Sequence, residues 1–284
     1  MAASADAWES FLRMQDGRGR TVIAQAGVPA IALVACLNWA PVAAGEGGCA
    51  LPVTETVRVA GAIDGDTIET EDGARVRLAA IEAPKALGFG DTAMAAAARA
   101  ALDGLVAGAS ISLARVGAGP DRYGRVHAQG FLPDGRSLQA VLAEAGLVRI
   151  RPLEGETACV ASLLAAEDRA RAADRGVWKG KRHDPLNPDD PSLLARSGLY
   201  ELVEGRVLSV GHGSYMIFLD FGPVYRRDFT VMIPPPVAER LAAAGFPADS
   251  LEGRSVRVRG VIEESGGPAI RIHDPVAIEV LDGG

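Results

Sequence analysis

Two tight turns near the start of the patterned part of the chain constrain its fold. They are Asp64-Gly65-Asp66 and Glu71-Asp72-Gly73. The turns separate three short segments rich in alternating or β-branched residues, at 55–63, 67–70 and 75–81. Such segments between Gly-containing and Asp-containing turns are typical of antiparallel strands. The sequence therefore predicts a three-stranded meander.

Further strands and helices follow the meander. Periodicity and end signals predict helices at 92–105, 138–144 and 156–175, and strands at 110–116 and 125–131. Strands with helices inserted between them favour a five-stranded OB-like barrel with packed helices over residues 50–180. The fold class predicted is α+β, mainly β.

A second strand-rich part follows a Pro-rich and Asp-rich stretch, 181–197, which we interpret as a linker. Residues 198–284 then favour a second small OB-like barrel. The predicted elements of this part are strands at 200–210, 215–220, 228–233, 254–262, 269–272 and 277–281, and a helix at 236–244.

Alternating Arg and Val at 254–262 predict a strand with one solvated face, which carries Arg257 and Arg259. The alternative is a basic patch that binds single-stranded nucleic acid together with nearby aromatic side chains. The formal net charge of the chain is -7, which excludes overall basic attraction to a polyanion. Nucleic-acid binding would therefore depend on local patches.

Residues 1–44 resemble an export signal. Arg13, Arg18 and Arg20 precede the apolar stretch 22–44, which ends in the small residues Val42-Ala43-Ala44. We therefore predict an extracytoplasmic protein, periplasmic or secreted. The alternative is an uncleaved anchor that holds the protein in the membrane, facing the periplasm.

Two cysteines remain beyond the predicted cleavage point, Cys49 and Cys159. An even pair in an exported protein predicts a disulfide.

The residues around the first turn suggest chemistry on a phosphodiester. Asp66 follows the tight turn and Glu82 ends the returning strand, so the two carboxylates can face a hard cation such as Ca²⁺. Arg77 and Arg125 can fork onto phosphate oxygens. Neutralised charge at a phosphate is what phosphodiester hydrolysis requires.

From residue 57 to residue 178 the chain resembles the staphylococcal nuclease (thermonuclease) family. The motifs that carry this resemblance, in order, are the Asp-Gly-Asp-Thr turn at 64–67, the Arg-Leu strand leading to Glu82-Ala83-Pro84, Asp121-Arg122-Tyr123-Gly124-Arg125, the helix end at 142–147, and Gly176-Val177-Trp178. The resemblance implies an OB-like barrel with three helices and cleavage of DNA and RNA with Ca²⁺.

The resemblance also implies roles for individual residues. Asp66 and Glu82 would be metal ligands, and the carbonyl of Ala83 would add another. Arg77 and Arg125 would bind and stabilise the phosphate, and Tyr123 would bind substrate.

This chain departs from the family pattern at one position that bears directly on catalysis. Lys85 stands where family enzymes carry the glutamate that acts on the attacking water. An ammonium cannot accept a proton at neutral pH, and it repels a nearby Ca²⁺. Pro152 and Glu154 also occupy the region where the family places tyrosines. 

Three functional hypotheses are therefore open. The first is an exported nuclease with an altered site, in which Lys85 holds the phosphate or acts as a base. The second is a catalytically impaired pseudoenzyme that binds nucleic acid. The third is an envelope interaction protein that uses the barrel as a scaffold.

Overall fold

The structure is a computed structural model that describes residues 49, 51–85, 89–117, 119–153, 155–224 and 227–281. The predicted export signal at 1–44 and the departure at Glu154 lie outside the described residues. Within the described ranges, no helix is long and apolar enough to cross a membrane.

The first part of the chain forms a closed five-stranded barrel with the order β1-β2-β3-β6-β5. Its elements are β1 (Glu55–Asp64), β2 (Thr67–Thr70), β3 (Arg75–Leu78), β4 (Ile81–Glu82), α1 (Thr92–Val106), β5 (Ser110–Arg115), β6 (Val126–Phe131), α2 (Leu138–Glu144), β7 (Arg149–Ile150) and α3 (Val160–Ala172). Adjacent strands are antiparallel except for β3 and β6, which are parallel. The predicted OB-like barrel is confirmed.

Two elements of the barrel part differ most from the prediction. The strand expected over 75–81 is interrupted because Ala80 has a positive φ of 62°, so β4 leaves the barrel and pairs with β7. The helix expected from residue 156 begins at Val160, because Glu156 uses its buried carboxylate to accept the backbone N–H of Ala80. Both differences follow from long-range contacts that local periodicity does not contain.

Buried aliphatic side chains fill the barrel and the space under α1, α2 and α3. The ends of α2 and α3 meet where two glycines touch. A Cβ on Gly176 would lie 2.1 Å from the carbonyl oxygen of Gly146, and Val177 donates its N–H to that same oxygen at 2.8 Å. This close approach explains why both glycines occur in the motifs at the two helix ends.

The second part forms a seven-stranded sheet. Its elements are β8 (Tyr200–Arg206), β9 (Ser209–His212), β10 (Ile217–Asp220), β11 (Thr230–Ile233), α4 (Pro235–Ala243), β12 (Ser255–Glu264), β13 (Pro268–Arg271) and β14 (Ile278–Val280). The order is β14-β12-β13-β11-β10-β9, and β8 pairs with β12. Because β8 pairs with β12 near one end of this order and the next strand, β9, forms the other end, the sheet is compatible with a barrel. Its closure stays a prediction.

The arginines of β12 do not form the solvated face that we expected. Arg259 is 1% exposed and Arg257 is 9% exposed. Arg259 ion-pairs with Glu167 at 2.9 Å, and Arg257 ion-pairs with Asp168 at 3.1 Å. The alternation therefore reflects two buried faces, with the valines in the second core and the arginines packed against α3.

The structure joins Cys49 to Cys159 in a disulfide whose Cα atoms are 4.9 Å apart. The bond attaches the segment before β1 to the start of α3 across a sequence separation of 110 residues. Closing so long a loop restricts the unfolded chain.

We expect loss of this bond to lower the free energy of unfolding by about 2–4 kcal/mol. Urea unfolding of the full chain with and without reductant measures this change, and Cys159→Ser should match the reduced protein. Mass spectrometry without reductant tests the bond itself. Two free thiols, or equal unfolding midpoints, would contradict the prediction.

Candidate active site

A buried carboxylate lies at the centre of the site. Asp66 follows the turn between β1 and β2 and its side chain is fully buried. One carboxylate oxygen, Oδ1, is 2.6 Å from Nη1 of Arg77 on β3. The other, Oδ2, accepts the N–H of Ala83 at 2.7 Å. Burial raises the pKa of Asp66, although Arg77 opposes the shift. The turn and the strand end are thus joined through one side chain.

Lys85 closes this cluster from the solvent side. Its Nζ lies 3.3 Å from Oδ2 of Asp64 and 3.8 Å from Oδ1 of Asp66. The lysine side chain is about half exposed. Burial by itself would raise the pKa of Asp64, but the backbone N–H of Asp66 and the charge of Lys85 bring it below the ordinary value. Lys85 therefore acts as a counter-ion for two carboxylates, and its own side chain remains partly exposed to water.

Glu82 binds two arginines. The pairing of β4 with β7 sets Glu82 opposite Arg149, and their side chains ion-pair at 2.7 Å. Arg151 contacts the second oxygen of Glu82. The guanidinium of Arg149 lies 4.1 Å from the ring centroid of Phe89, and that of Arg151 lies 4.8 Å from the centroid of Tyr200. These cation–π contacts fix the two arginines on Glu82.

Arg125 and Tyr123 belong to a neighbouring cluster. Nη2 of Arg125 lies 2.8 Å from the carboxylate of Asp121, and the guanidinium lies 5.2 Å from the ring centroid of Tyr123. His127 on β6 contacts Asp121 at 3.2 Å and contacts Glu156 through its other nitrogen. Although burial opposes it, hydrogen bonds from Arg125 and His127 hold the pKa of Asp121 well below its usual range.

Two kinds of similarity place this chain among known proteins. Residues 75–180 match the family model described as staphylococcal nuclease homologue. Two curated relatives, from Escherichia coli and Escherichia coli O157:H7, are both named uncharacterized endonuclease. Each is 32% identical over 137 residues, which cover 46% of this chain and 80% of the relative. The chain belongs to the staphylococcal nuclease homologue family.

The nuclease-family residues predicted from sequence fall into three groups. Asp66, Arg77 and Lys85 converge, with Ala83 contributing its N–H rather than a carbonyl to Asp66. Glu82 is engaged by the arginines of β7 and its vicinity. No hydrogen bond or ion pair of the described residues joins Arg125 or Tyr123 to the Asp66 cluster. The roles of all these residues stay predictions.

Four residues of this region were not predicted. Arg149 and Arg151 neutralise Glu82, while His127 and Glu156 connect the Asp121 loop to the backbone of Ala80. Arginine alternates with an aliphatic residue at 148–151, and this pattern indicates a short strand with Arg149 and Arg151 on one face. His127 lies within β6, and its side chain is mostly buried.

The family is generally Ca²⁺-dependent, but these side chains fit a calcium ion poorly. Among the described residues, no group of three or more His, Cys, Asp or Glu is arranged to hold a metal. Asp66 is occupied by Arg77 and the N–H of Ala83, and both oxygens of Glu82 contact arginines. Calcium requires several oxygen ligands and favours net negative charge. In this arrangement Asp66 and Glu82 are already paired with cations of the protein.

A pair of arginine substitutions tests whether the Asp121 cluster binds phosphate. We expect Arg125→Ala to weaken binding of a nucleoside 3′,5′-bisphosphate by about tenfold, because a charge-assisted contact to phosphate is lost. Arg136→Ala is the matched control, since Arg136 is an exposed arginine that also pairs with a nearby carboxylate. Isothermal titration calorimetry measures both. Equal affinities would mean that Arg125 only holds its own loop.

Proposed function

We propose that this protein acts on the phosphodiester backbone of DNA or RNA as a nuclease with an altered active site. The observation that carries the proposal is the convergence of Arg77 and Lys85 on the buried carboxylate of Asp66. Membership of the family and the two relatives named endonuclease support it. Two cations at the end of a barrel strand suit a phosphate with its developing negative charge.

The side chains define what each residue contributes. Arg77 is fixed by Asp66 and donates to the carbonyl of Ile81 at 2.7 Å, so its guanidinium is preorganised for phosphate oxygens. Lys85 supplies a partly exposed ammonium beside it. Lys85 contributes no carboxylate to accept the proton of an attacking water, so proton removal is the step we expect to be impaired. Activity is therefore weak relative to a site with glutamate at this position.

Calcium has no assigned step in this proposal. The arginines on Glu82 and the contacts of Asp66 compete with a metal, so we propose that Ca²⁺ binding is weakened or absent. A calcium ion bound elsewhere in the cluster would supply charge stabilisation to the phosphate and polarise the attacking water.

A second candidate is binding of nucleic acid without cleavage. The contacts of Lys85 with Asp64 and Asp66 favour this candidate. The ammonium of Lys85 stands where family enzymes have the catalytic carboxylate, and it supplies positive charge where they would bind the metal. Such a pseudoenzyme would retain phosphate affinity and lose turnover. Binding and cleavage must therefore be measured on the same sample.

The decisive experiment incubates the full chain with single-stranded DNA in Ca²⁺ and in EDTA. Cleavage in either condition supports the nuclease. Binding that weakens with added salt, without cleavage, supports the second candidate, since counterion release makes phosphate contacts salt-dependent. Neither cleavage nor salt-dependent binding would leave the envelope scaffold as the remaining account.

We further propose that the protein is exported, with residues 1–44 as a cleaved signal or a retained anchor. The apolar stretch after the N-terminal arginines supports export. A disulfide between Cys49 and Cys159 is consistent with an oxidising compartment. The boundaries at 50–180, 181–197 and 198–284 are likewise proposed for its two domains and linker.

A further inference from the structure

A cavity of about 250 Å³ opens beside the candidate active site. One wall carries Glu82, Ala83 and Lys85 from the nuclease barrel. A second wall comes from the predicted linker and the start of β8. It includes Arg182, His183, Asp184, Leu186, Arg196 and Glu201. Drug-sized ligands usually occupy roughly 300–1,000 Å³, so this cavity suits one small group.

The cavity is basic although the whole chain is acidic. Five cations line it, against three carboxylates. The cations are Lys85, Arg149, Arg151, Arg182 and Arg196, and the carboxylates are Glu82, Asp184 and Glu201. Glu82 and Glu201 are already engaged by arginines. Lys85 and Arg182 also contact carboxylates outside the lining, namely Asp64, Asp66 and Asp91, so binding of an anion depends on the donors that these contacts leave free.

Two arginines on the linker wall keep donors available. The side chain of Arg182 is 67% exposed, and its Nη1 ion-pairs with Asp91 at 3.4 Å. Arg196 is 39% exposed, pairs with Glu201 through Nη1 and donates from Nε to the hydroxyl of Ser192. A guanidinium has five N–H donors, so these contacts leave several for a ligand.

His183 provides a second sign of a ligand. Its Nε2 is buried and has no hydrogen-bond partner in the described part of the chain. Burial and the charges of Arg149 and Arg182 lower the pKa of His183, so the ring is neutral at pH 7. A buried polar atom without a partner is costly, and a bound anion or its hydroxyl group would satisfy it.

The linker wall is held in place by the second part of the chain. Leu186 donates its N–H to Leu202 and accepts the N–H of Glu204, which attaches the linker to β8. Pro188 packs on Gly205, where a Cβ would lie 2.3 Å from the proline ring. Gly198 donates to the carbonyl of Ile262 at 2.8 Å. The wall is thus part of the packed second part of the chain, and the hydroxyl of Tyr200 joins it to β7 by donating to the carbonyl of Ile150 at 3.4 Å.

We propose that this cavity is a second phosphate subsite, in which Arg182 and Arg196 hold a backbone phosphate of single-stranded nucleic acid next to the one at Arg77. The proposal rests on the proposed function and deepens it. In this proposal the linker and the C-terminal part of the chain extend the nucleic-acid groove. Substrate length would then matter: a strand that fills both positions binds more tightly than a single nucleotide.

The test compares two double variants of equal charge. Arg182→Ala/Arg196→Ala removes the proposed contacts. Arg136→Ala/Arg169→Ala removes two exposed arginines, each of which pairs with a carboxylate outside the cavity. Fluorescence anisotropy with a ten-nucleotide oligo(dT), repeated at several salt concentrations, gives affinity and salt dependence. Thermal unfolding checks that both variants fold.

We expect the first double variant to bind about tenfold more weakly, because two exposed charge contacts are lost. The slope of log K against log salt should become shallower by about 0.7, which corresponds to one phosphate on a single strand. The control should keep the natural slope. Equal slopes in the two variants overturn the subsite and leave the proposed function standing, whereas no binding by the natural protein overturns both.

Discussion

Lys85→Glu is expected to raise cleavage of single-stranded DNA by about 10²-fold or more, because general-base assistance is typically worth about 10²–10⁴-fold. The new carboxylate can accept the proton of the attacking water, which an ammonium cannot. It also lies beside Asp64 and Asp66, which Lys85 now contacts at 3.3 and 3.8 Å. Three clustered carboxylates repel one another unless a cation joins them. Added Ca²⁺ should therefore raise the melting temperature of the variant more than that of the natural protein.

Lys85→Gln separates the two effects of this substitution. It removes the positive charge without adding a base, so it should change Ca²⁺ affinity more than turnover. If the contact of Lys85 with the phosphate outweighs the gain of a base, both variants should lose whatever activity the natural protein has. Identical cleavage by all three proteins, with the fold intact by circular dichroism, would refute a role for this position and favour the binding or scaffold hypotheses.

The barrel was predictable because its signals are local. The turn at 64–66 and the turn at 71–73 set the first hairpins, and Gly146 marks the end of α2. The start of α3 was not predictable, because the side chain of Glu156 accepts the backbone N–H of Ala80 and residue 156 lies outside the helix. That contact spans 76 residues along the chain, and no periodicity in the sequence encodes it.

Motif order predicted that Asp66 and Arg77 lie near each other, but it did not predict how the other charged residues of the candidate site pair. Motif order identifies Asp66 and Arg77, which do meet. The motif does not show that Glu82 faces Arg149, because this depends on the two-residue pairing of β4 with β7. The same holds for Arg257 and Arg259. Alternation correctly indicates a strand, but burial of the arginine face depends on carboxylates of α3, a distant helix.

Arg259 connects the nuclease barrel to the second sheet through buried charge. Its side chain and that of Glu167 are both fully buried, and they ion-pair at 2.9 Å. Arg259 also donates to the carbonyl of Ile150 at 3.0 Å, while Glu167 accepts the N–H of Ile150 at 2.7 Å. Burial alone would lower the pKa of Arg259, but Glu167, Tyr200 and Glu279 raise it above the usual value. The guanidinium is therefore permanently charged, and its burial depends on the carboxylates that balance this charge.

We expect Arg259→Met to lower the free energy of unfolding by about 3–5 kcal/mol, because it leaves the carboxylate of Glu167 buried without its cation. The loss should shrink at acidic pH, where an unpaired carboxyl takes up a proton and no longer carries charge. Ile150 belongs to β7, the strand that pairs with β4 beside Lys85. Weaker oligonucleotide binding should therefore accompany the loss of stability. Urea unfolding at pH 5 and pH 8 measures the predicted trend.

Two further variants show whether unpaired charge is the cause. Arg259→Met/Glu167→Gln should recover most of the lost stability, since the amide keeps an acceptor for the N–H of Ile150 and carries no charge. Arg169→Met is the control on the same helix, because its pair with Glu144 is exposed and such pairs are worth about 0–1 kcal/mol. If the double variant is as unstable as Arg259→Met, the cost comes from lost packing and the buried pair is not what joins the two parts. If the double variant instead regains stability at pH 8 and changes little at pH 5, the buried charge pair is what joins the nuclease barrel to the second sheet. The same pair would then hold the linker wall beside the active site.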